Sequence, residues 1–279
     1  MCARVPILTL DELREVVASI SVDTALVQLP DWPLGVWPKE RTQAFPGSRV
    51  HVIVPEASDL VADAQGFAAR NESAAARAQD PTGPQASQAL APNLTTALMT
   101  WGVEAPWQPG KLVFNTRLES ALRDYARGKG MWNRALSDAR CIVATAGFFE
   151  PHATERVKSA RSGKLIKRSY LFGAPTGVPL LLGGLVLNGC FTVVTTEPNA
   201  YVSPVHNRMP LVLSPAEARQ WLWGPADALG EFAERENIDL EVRPEDEQAR
   251  VVDEAHAQAD DDGTRDEGGS LTGGQMSLF

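Results

Sequence analysis

The chemistry of this 279-residue chain is concentrated in a few side chains, and one of them stands in its opening stretch, "MCAR". Cysteine at position 2 is small enough for methionine aminopeptidase to remove Met1. Cys2 would then carry an α-amine and a thiol on adjacent carbons. Such a 1,2-aminothiol condenses with an aldehyde to an imine, and its sulfur then closes a five-membered thiazolidine. The α-amine titrates at about 7.7–8.0, so a neutral, nucleophilic fraction exists near pH 7. Taken alone, Cys2 reads as an incidental residue on a frayed terminus. Glu150, a lone acid after the apolar "AGFF", is a carboxylate placed where it could transfer protons, whereas His206, in "HNRMP", reads on its own as a packed structural histidine.

Other chemistries are excluded by spacing. The three cysteines (Cys2, Cys141, Cys190) are far apart, no CxxC occurs, and the four histidines show no ligand pattern. Neither a disulfide framework, a metal nor a cofactor is expected. No GxGxxG follows a strand, so no nucleotide fold is expected. No apolar run approaches the roughly 20 residues that span a bilayer, and Asp11 and Glu12 arrive too soon for a signal peptide. These features predict a cytoplasmic protein, and a monomer is expected. The net charge is −9, but residues 111–170 carry 13 Lys/Arg against 5 Asp/Glu, whereas residues 231–279 carry 4 Arg against 15 Asp/Glu. A basic middle beside an acidic end is compatible with phosphate contact on one face.

These groups must be held by the surrounding elements. "TLDELREVVASI" predicts a helix capped by Thr9 and Glu12, with Leu13, Val16, Val17 and Ile20 on one face. Strands are predicted at 49–54, 111–115, 140–146, 167–173, 179–187 and 190–196, and a second capped helix at 214–223. Short connections between the strands predict an α+β fold with a largely antiparallel sheet. Residues 57–93, rich in Ala, Gln, Ser and Pro, read as a mobile insertion, with a helical piece at about 61–78. Residues 245–279 read as an acidic disordered tail following a domain that spans 1–244.

Four segments line up behind the Met-Cys start: "TWGVEAPW" (100–107), "FNTRLESA" (114–121), "RCIVATAGFFEP" (140–151) and "TTEPNAYVSPVHNRMPLVL" (195–213). In this order they resemble the SRAP family, the SOS response-associated peptidases that process abasic sites in DNA. The resemblance runs from Cys2 to about Pro244. It implies a single domain with a mostly antiparallel, barrel-like sheet and flanking helices. It also implies binding of single-stranded DNA, crosslinking to the abasic aldehyde through Cys2, and nucleoid association. The family name reflects peptidase-like removal of whatever precedes the cysteine. Carried over residue by residue, Glu150 would shuttle protons and His206 would assist sugar ring opening. Asn115 would hydrogen-bond in the pocket around Cys2. Arg117 and Arg208 would grip flanking phosphates, with a structural ion pair to Glu119 as the competing role for either. Trp101 and Pro46 would form part of the surface on which bases stack. Three positions depart from the family pattern: Ala3 for glycine, Gln43 for asparagine, and Pro151 for an aromatic residue.

The last residues, "QMSLF", resemble the short peptide by which bacterial replication and repair proteins hold the sliding clamp. Leu278 and Phe279 would fill an apolar pocket while Gln275 hydrogen-bonds at its rim. Two other functions fit the same residues: an N-terminal-nucleophile thiol peptidase or amidohydrolase using Cys2, and a noncovalent, clamp-tethered DNA-binding module in which Cys2 is inert.

Overall fold

The computed structural model describes residues 2–21, 42–56, 93–159 and 162–245. All of the 57–93 insertion but Asn93, and the tail beyond Glu245 with Gln275, Leu278 and Phe279, lie outside the described residues. The chain opens with β1 (Val5–Pro6) and α1 (Leu10–Ser21). Thr9 and Glu12 form the expected reciprocal cap: Glu12 N donates to Thr9 Oγ1 at 3.3 Å, and Thr9 N to Glu12 Oε2 at 2.7 Å. This cap fixes the phase that buries Leu13, Val16 and Ile20.

β2 (Gln43–Ala44), β3 (Arg49–Pro55) and β4 (Leu94–Trp101) follow, then the short β5 (Val103–Glu104) and β6 (Leu112–Val113). The strand predicted at 111–115 is broken in two. β6 pairs with β5, and β7 (Asn115–Arg117) crosses to a different neighbour. Phe114 between them turns its carbonyl to the Trp101 indole at 2.9 Å and the Val193 amide at 3.1 Å. After α2 (Leu118–Ala126) and α3 (Asn133–Asp138) come β8 (Arg140–Thr145), β9 (Phe148–Lys158), β10 (Leu165–Gly173), β11 (Leu180–Leu187) and β12 (Cys190–Thr196). The short β13 (Met209–Pro210) and β14 (Val212–Leu213) lead into α4 (Pro215–Trp223), capped by Ser214 and Glu217 as predicted. β15 (Glu241–Pro244) closes the described chain.

Pairing runs β12–β4–β3–β8–β11 and returns from β11 to β12, which closes a five-stranded barrel. Among the described residues only the β12–β4 and β12–β7 pairings are parallel. This is the α+β, mostly antiparallel, barrel-like architecture that the sequence predicts. β9, β10 and β15 form a second antiparallel sheet that leaves the barrel at Gly147.

Alternation divides the core in two. Val52, Val54, Cys141, Val143, Leu182 and Val186 belong to one cluster, and their neighbours Ile53, Ile142, Ala144, Leu181 and Leu185 to the other. The second cluster also holds Leu13, Val16, Ile20 and Trp221 from the helices, so it is the layer between barrel and helices. That is why β8 and β11 read as continuous apolar runs: both faces are covered. The first cluster fills the barrel, and Cys2 is part of it.

Candidate active site

The N-terminal segment is laid along the β8–β9 turn and stitched there by backbone groups. Phe149 N donates to Arg4 O at 3.0 Å and Ala146 N to Pro6 O at 3.3 Å, while Thr145 Oγ1 donates to Pro6 O at 2.5 Å. On its other side Val5 and Pro6 pair with Ala44 and Gln43. Arg4 adds a side-chain latch. Its guanidinium grips both carboxylate oxygens of Glu245 (2.7 and 2.5 Å) and Ser169 Oγ (2.9 Å), and lies 3.7 Å over the Phe149 ring. The result is a Cys2 side chain that is fully buried. Asn115 holds the same residue from β7, donating from Nδ2 to Cys2 O at 2.7 Å.

Glu150 is also fully buried, three residues past Gly147 on β9. A Cβ on Gly147 would meet Phe172 O at 2.5 Å, so glycine is what allows the β8–β9 turn to pass this close to β10. Burial raises the Glu150 carboxyl to about 7, against the opposing pull of the chain's α-ammonium. The Cys2 thiol is pushed far above its ordinary range, first by burial and then by the Glu150 charge, with Arg4 and the α-ammonium opposing. The Glu150 charge therefore discourages ionisation of the thiol.

His206 is half-buried. The Arg208 amide, which can only donate, meets Nδ1 at 3.1 Å and so places the neutral ring's proton on Nε2. The Arg208 carbonyl, 3.2 Å away, becomes the partner of Nδ1 when the ring is protonated. Burial, then the α-ammonium, lower the His206 pKa, Arg208 O raises it, and Lys167 adds a smaller lowering. The imidazole is thereby kept neutral near pH 7. Cys2, Asn115 and Glu150 come from three separate segments and meet near the start of the chain, and His206, from a fourth, feels the α-ammonium there.

Two DNA-contact expectations are corrected. Arg208 is 5% exposed and already committed to Glu197 (2.5 Å), Glu119 (2.9 Å) and Thr195 O (2.8 Å), so its guanidinium orders the His206 loop and has no fork left for a phosphate. Trp101 is fully buried, its indole bonded to Phe114 O and stacked on Phe191 inside the barrel, which leaves no ring face for a base. Arg117 is exposed at the start of α2 and Pro46 is half-buried in the 44–49 turn. Pro151 lies within β9 opposite Ser169, and the Glu150–Tyr170 pairing beside it is intact. Sequence reading missed Arg4, whose partners lie 165 and 241 residues away.

The closed barrel thus buries an early cysteine in its core near a buried carboxylate, with an amide bonded to its backbone carbonyl. The family model described as SOS response associated peptidase (SRAP) matches residues 1–248, and the chain belongs to this family. It is 29% identical over 131 residues to the abasic site processing protein YoaM of Bacillus subtilis (strain 168), covering 44% of this chain and 55% of that protein. It is 25% identical over 133 residues to the abasic site processing protein YoqW of the same organism, with the same coverage. The chain thus matches these curated relatives over about half their length. Two crystal structures from Bordetella bronchiseptica share the fold. A phage-related protein superposes with a TM-score of 0.52 at 20% identity, covering 88% of this chain and 94% of that one. A second protein gives 0.51 at 16% identity, covering 88% and 100%.

Proposed function

We propose that this chain captures abasic sites in single-stranded DNA as a covalent thiazolidine on Cys2 once Met1 has been removed, shielding the lesion. The ring-opened abasic sugar carries an aldehyde at C1′. The neutral Cys2 amine adds to that carbon to give a carbinolamine, which loses one water to form the imine. Cys2 Sγ then adds to the imine carbon, a C–S bond forms, and the thiol proton passes to nitrogen. The sum is aldehyde plus aminothiol giving thiazolidine plus one water, with no oxidant or metal.

Glu150 carries the reading. A carboxyl buried beside Cys2 and titrating at about 7 holds both protonation states near neutral pH. It can protonate the departing carbinolamine hydroxyl and take up the proton that the thiol releases. His206, with Nε2–H directed by the Arg208 amide, donates to the sugar oxygen during ring opening. Asn115 fixes the Cys2 carbonyl, and with it the direction of the amine and thiol. The relatives' abasic-site names support the choice of substrate. The thiol-peptidase alternative fits less well. It needs a thiolate beside an imidazolium, whereas here the thiol pKa is raised and the imidazole pKa is lowered.

The test is intact-mass spectrometry of the protein mixed with a single-stranded oligonucleotide bearing one abasic site. The expected product lacks Met1, is heat-stable, and weighs one water less than the sum of its parts. Cys2→Ala and Cys2→Ser both abolish it, each keeping the α-amine and so leaving only an imine that must be trapped by borohydride. Wild-type protein without Met1 that binds the oligonucleotide but forms no adduct overturns the reading.

A further inference from the structure

Past Glu150, β9 and β10 continue as a two-stranded arm whose charge is one-sided. Residues 151–170 hold six Lys/Arg and one acid, Glu155. That acid is already taken, by Arg168 at 2.7 Å and the Tyr170 hydroxyl at 2.6 Å. In the β9–β10 register Lys167 lies opposite Arg156, and Leu165 opposite Lys158. Opposed residues share a face, as do residues two apart on one strand. Arg156, Lys158, Leu165 and Lys167 therefore line one face, with Val157 and Ile166 on the other. Exposure follows this division: the first four are exposed and the latter two half-buried.

The arrangement is unfavourable for the fold alone. Like charges directly opposed across a strand pair destabilise it, and Arg156 and Lys167 are such a pair. Among the described residues no carboxylate neutralises them; Arg156 Nη1 reaches only the carbonyls of Thr154 and Glu155, each at 3.3 Å. Leu165, 68% exposed, stands on the same face. The arm is also joined to the site. It grows from the strand that carries Glu150, and Ala153 N donates to Val205 O at 2.9 Å, one residue before His206. The charge of Lys167 is felt at His206.

We propose that this face is a track for the DNA backbone on one side of the lesion, with Arg156, Lys158 and Lys167 meeting phosphates and Leu165 packing against a base. The inference rests on the reading of Cys2 as the abasic-site trap and adds a second contact region to it. A single strand crossing the pocket carries its next phosphates away from Cys2, and the arm supplies cations whose one internal acid, Glu155, is already held by Arg168 and Tyr170. Each phosphate contact to a single strand contributes about −0.7 to the slope of log K against log salt.

The test measures binding of an oligonucleotide with a tetrahydrofuran abasic analogue, which lacks the aldehyde, across a salt series. The variant Arg156→Gln/Lys158→Gln/Lys167→Gln should bind on the order of 30-fold more weakly near 0.15 M salt, with a slope shallower by about 2. Leu165→Ala should weaken binding severalfold with no change in slope. A control that loses equal charge elsewhere, Arg14→Gln/Arg127→Gln/Lys129→Gln, should keep the wild-type slope, and thermal melts confirm that each variant is folded. If the arm variant keeps wild-type affinity and slope while wild-type protein still crosslinks an aldehydic oligonucleotide, the track is refuted and an acidic protein surface becomes the partner to seek. If wild-type protein neither binds nor crosslinks, the trap itself is refuted, and the track with it.

Discussion

β9 passes through two environments within eleven residues. Phe148, Phe149 and Glu150 are buried, whereas Ala153, Thr154, Arg156 and Lys158 are exposed. The same backbone and the same partner strand serve both halves, so the difference lies in the solvent. In the buried half one carboxyl is moved from 4.5 to about 7, because water is absent and the charged form is costly. In the exposed half, with water and salt around them, cations act by number and position rather than by altered acidity. Under the proposed reading the strand separates two kinds of function, with chemistry at its dry end and affinity at its wet end.

Glu150→Gln tests the dry end and should give the largest effect. Removing a positioned general acid–base lowers the adduct-forming rate by roughly 10²–10⁴-fold. The limb of the pH–rate profile near 7 should vanish with it, and no limb would vanish if Glu150 were merely structural. Stability should move the opposite way. A carboxyl raised in the folded state binds more protons there than in the unfolded chain, so wild-type stability falls as pH rises from 4.5 through 7. At about 1.4 kcal/mol per pH unit that amounts to ~3 kcal/mol. The glutamine variant should match wild type below pH 4.5 and exceed it by that order at pH 8, as read from denaturant midpoints.

Arg4 comes next. Its guanidinium joins the Cys2 segment to Glu245, with side chains only 14% and 6% exposed. Removing one partner of a buried, hydrogen-bonded pair strands the other, so Arg4→Ala should cost about 3 kcal/mol. It should also slow adduct formation by loosening the strand that aims Cys2. Arg4→Lys should recover part of the stability but little of the rate, because an ammonium cannot hold both carboxylate oxygens and lie flat over Phe149. Equal recovery of both would reduce Arg4 to a point charge.

How far the sequence revealed this arrangement follows from the range of each signal. α1 and α4 were legible because their caps are local: each places a hydroxyl and a carboxylate three residues apart, ahead of an apolar stripe. β3, β8, β11 and β12 were legible as apolar or alternating runs. The break at Phe114 was not, because it depends on the indole of Trp101 and the amide of Val193, both remote in sequence. Among the site residues, the placing of Cys2, Glu150, Asn115 and His206 followed from ordered motifs. Arg208 and Trp101 lay in the same motifs, yet a motif does not say which side of the barrel wall a side chain occupies. Burial decides that, and burial is a property of the closed barrel rather than of any segment.

Trp101 is where this point can be measured with the smallest change. Its indole donates to Phe114 O at 2.9 Å from a fully buried position. Its backbone carbonyl also anchors the turn through Gly47 N at 2.7 Å. Trp101→Phe keeps an aromatic ring, leaves the backbone anchor in place and deletes only the indole donor and some volume. Phe114 O keeps the Val193 amide as a partner at 3.1 Å, so the lost indole bond costs about 0.5–1.5 kcal/mol and the lost volume adds to it, and the melting temperature should fall by a few degrees. The affinity for the tetrahydrofuran oligonucleotide, measured below the transition, should not change. A base stacked on the ring would give the reverse pattern, because loss of indole area weakens stacking without disturbing a core. Lost affinity at unchanged stability would therefore place Trp101 outside the barrel wall and undo the division between dry chemistry and wet affinity on which the comparison rests.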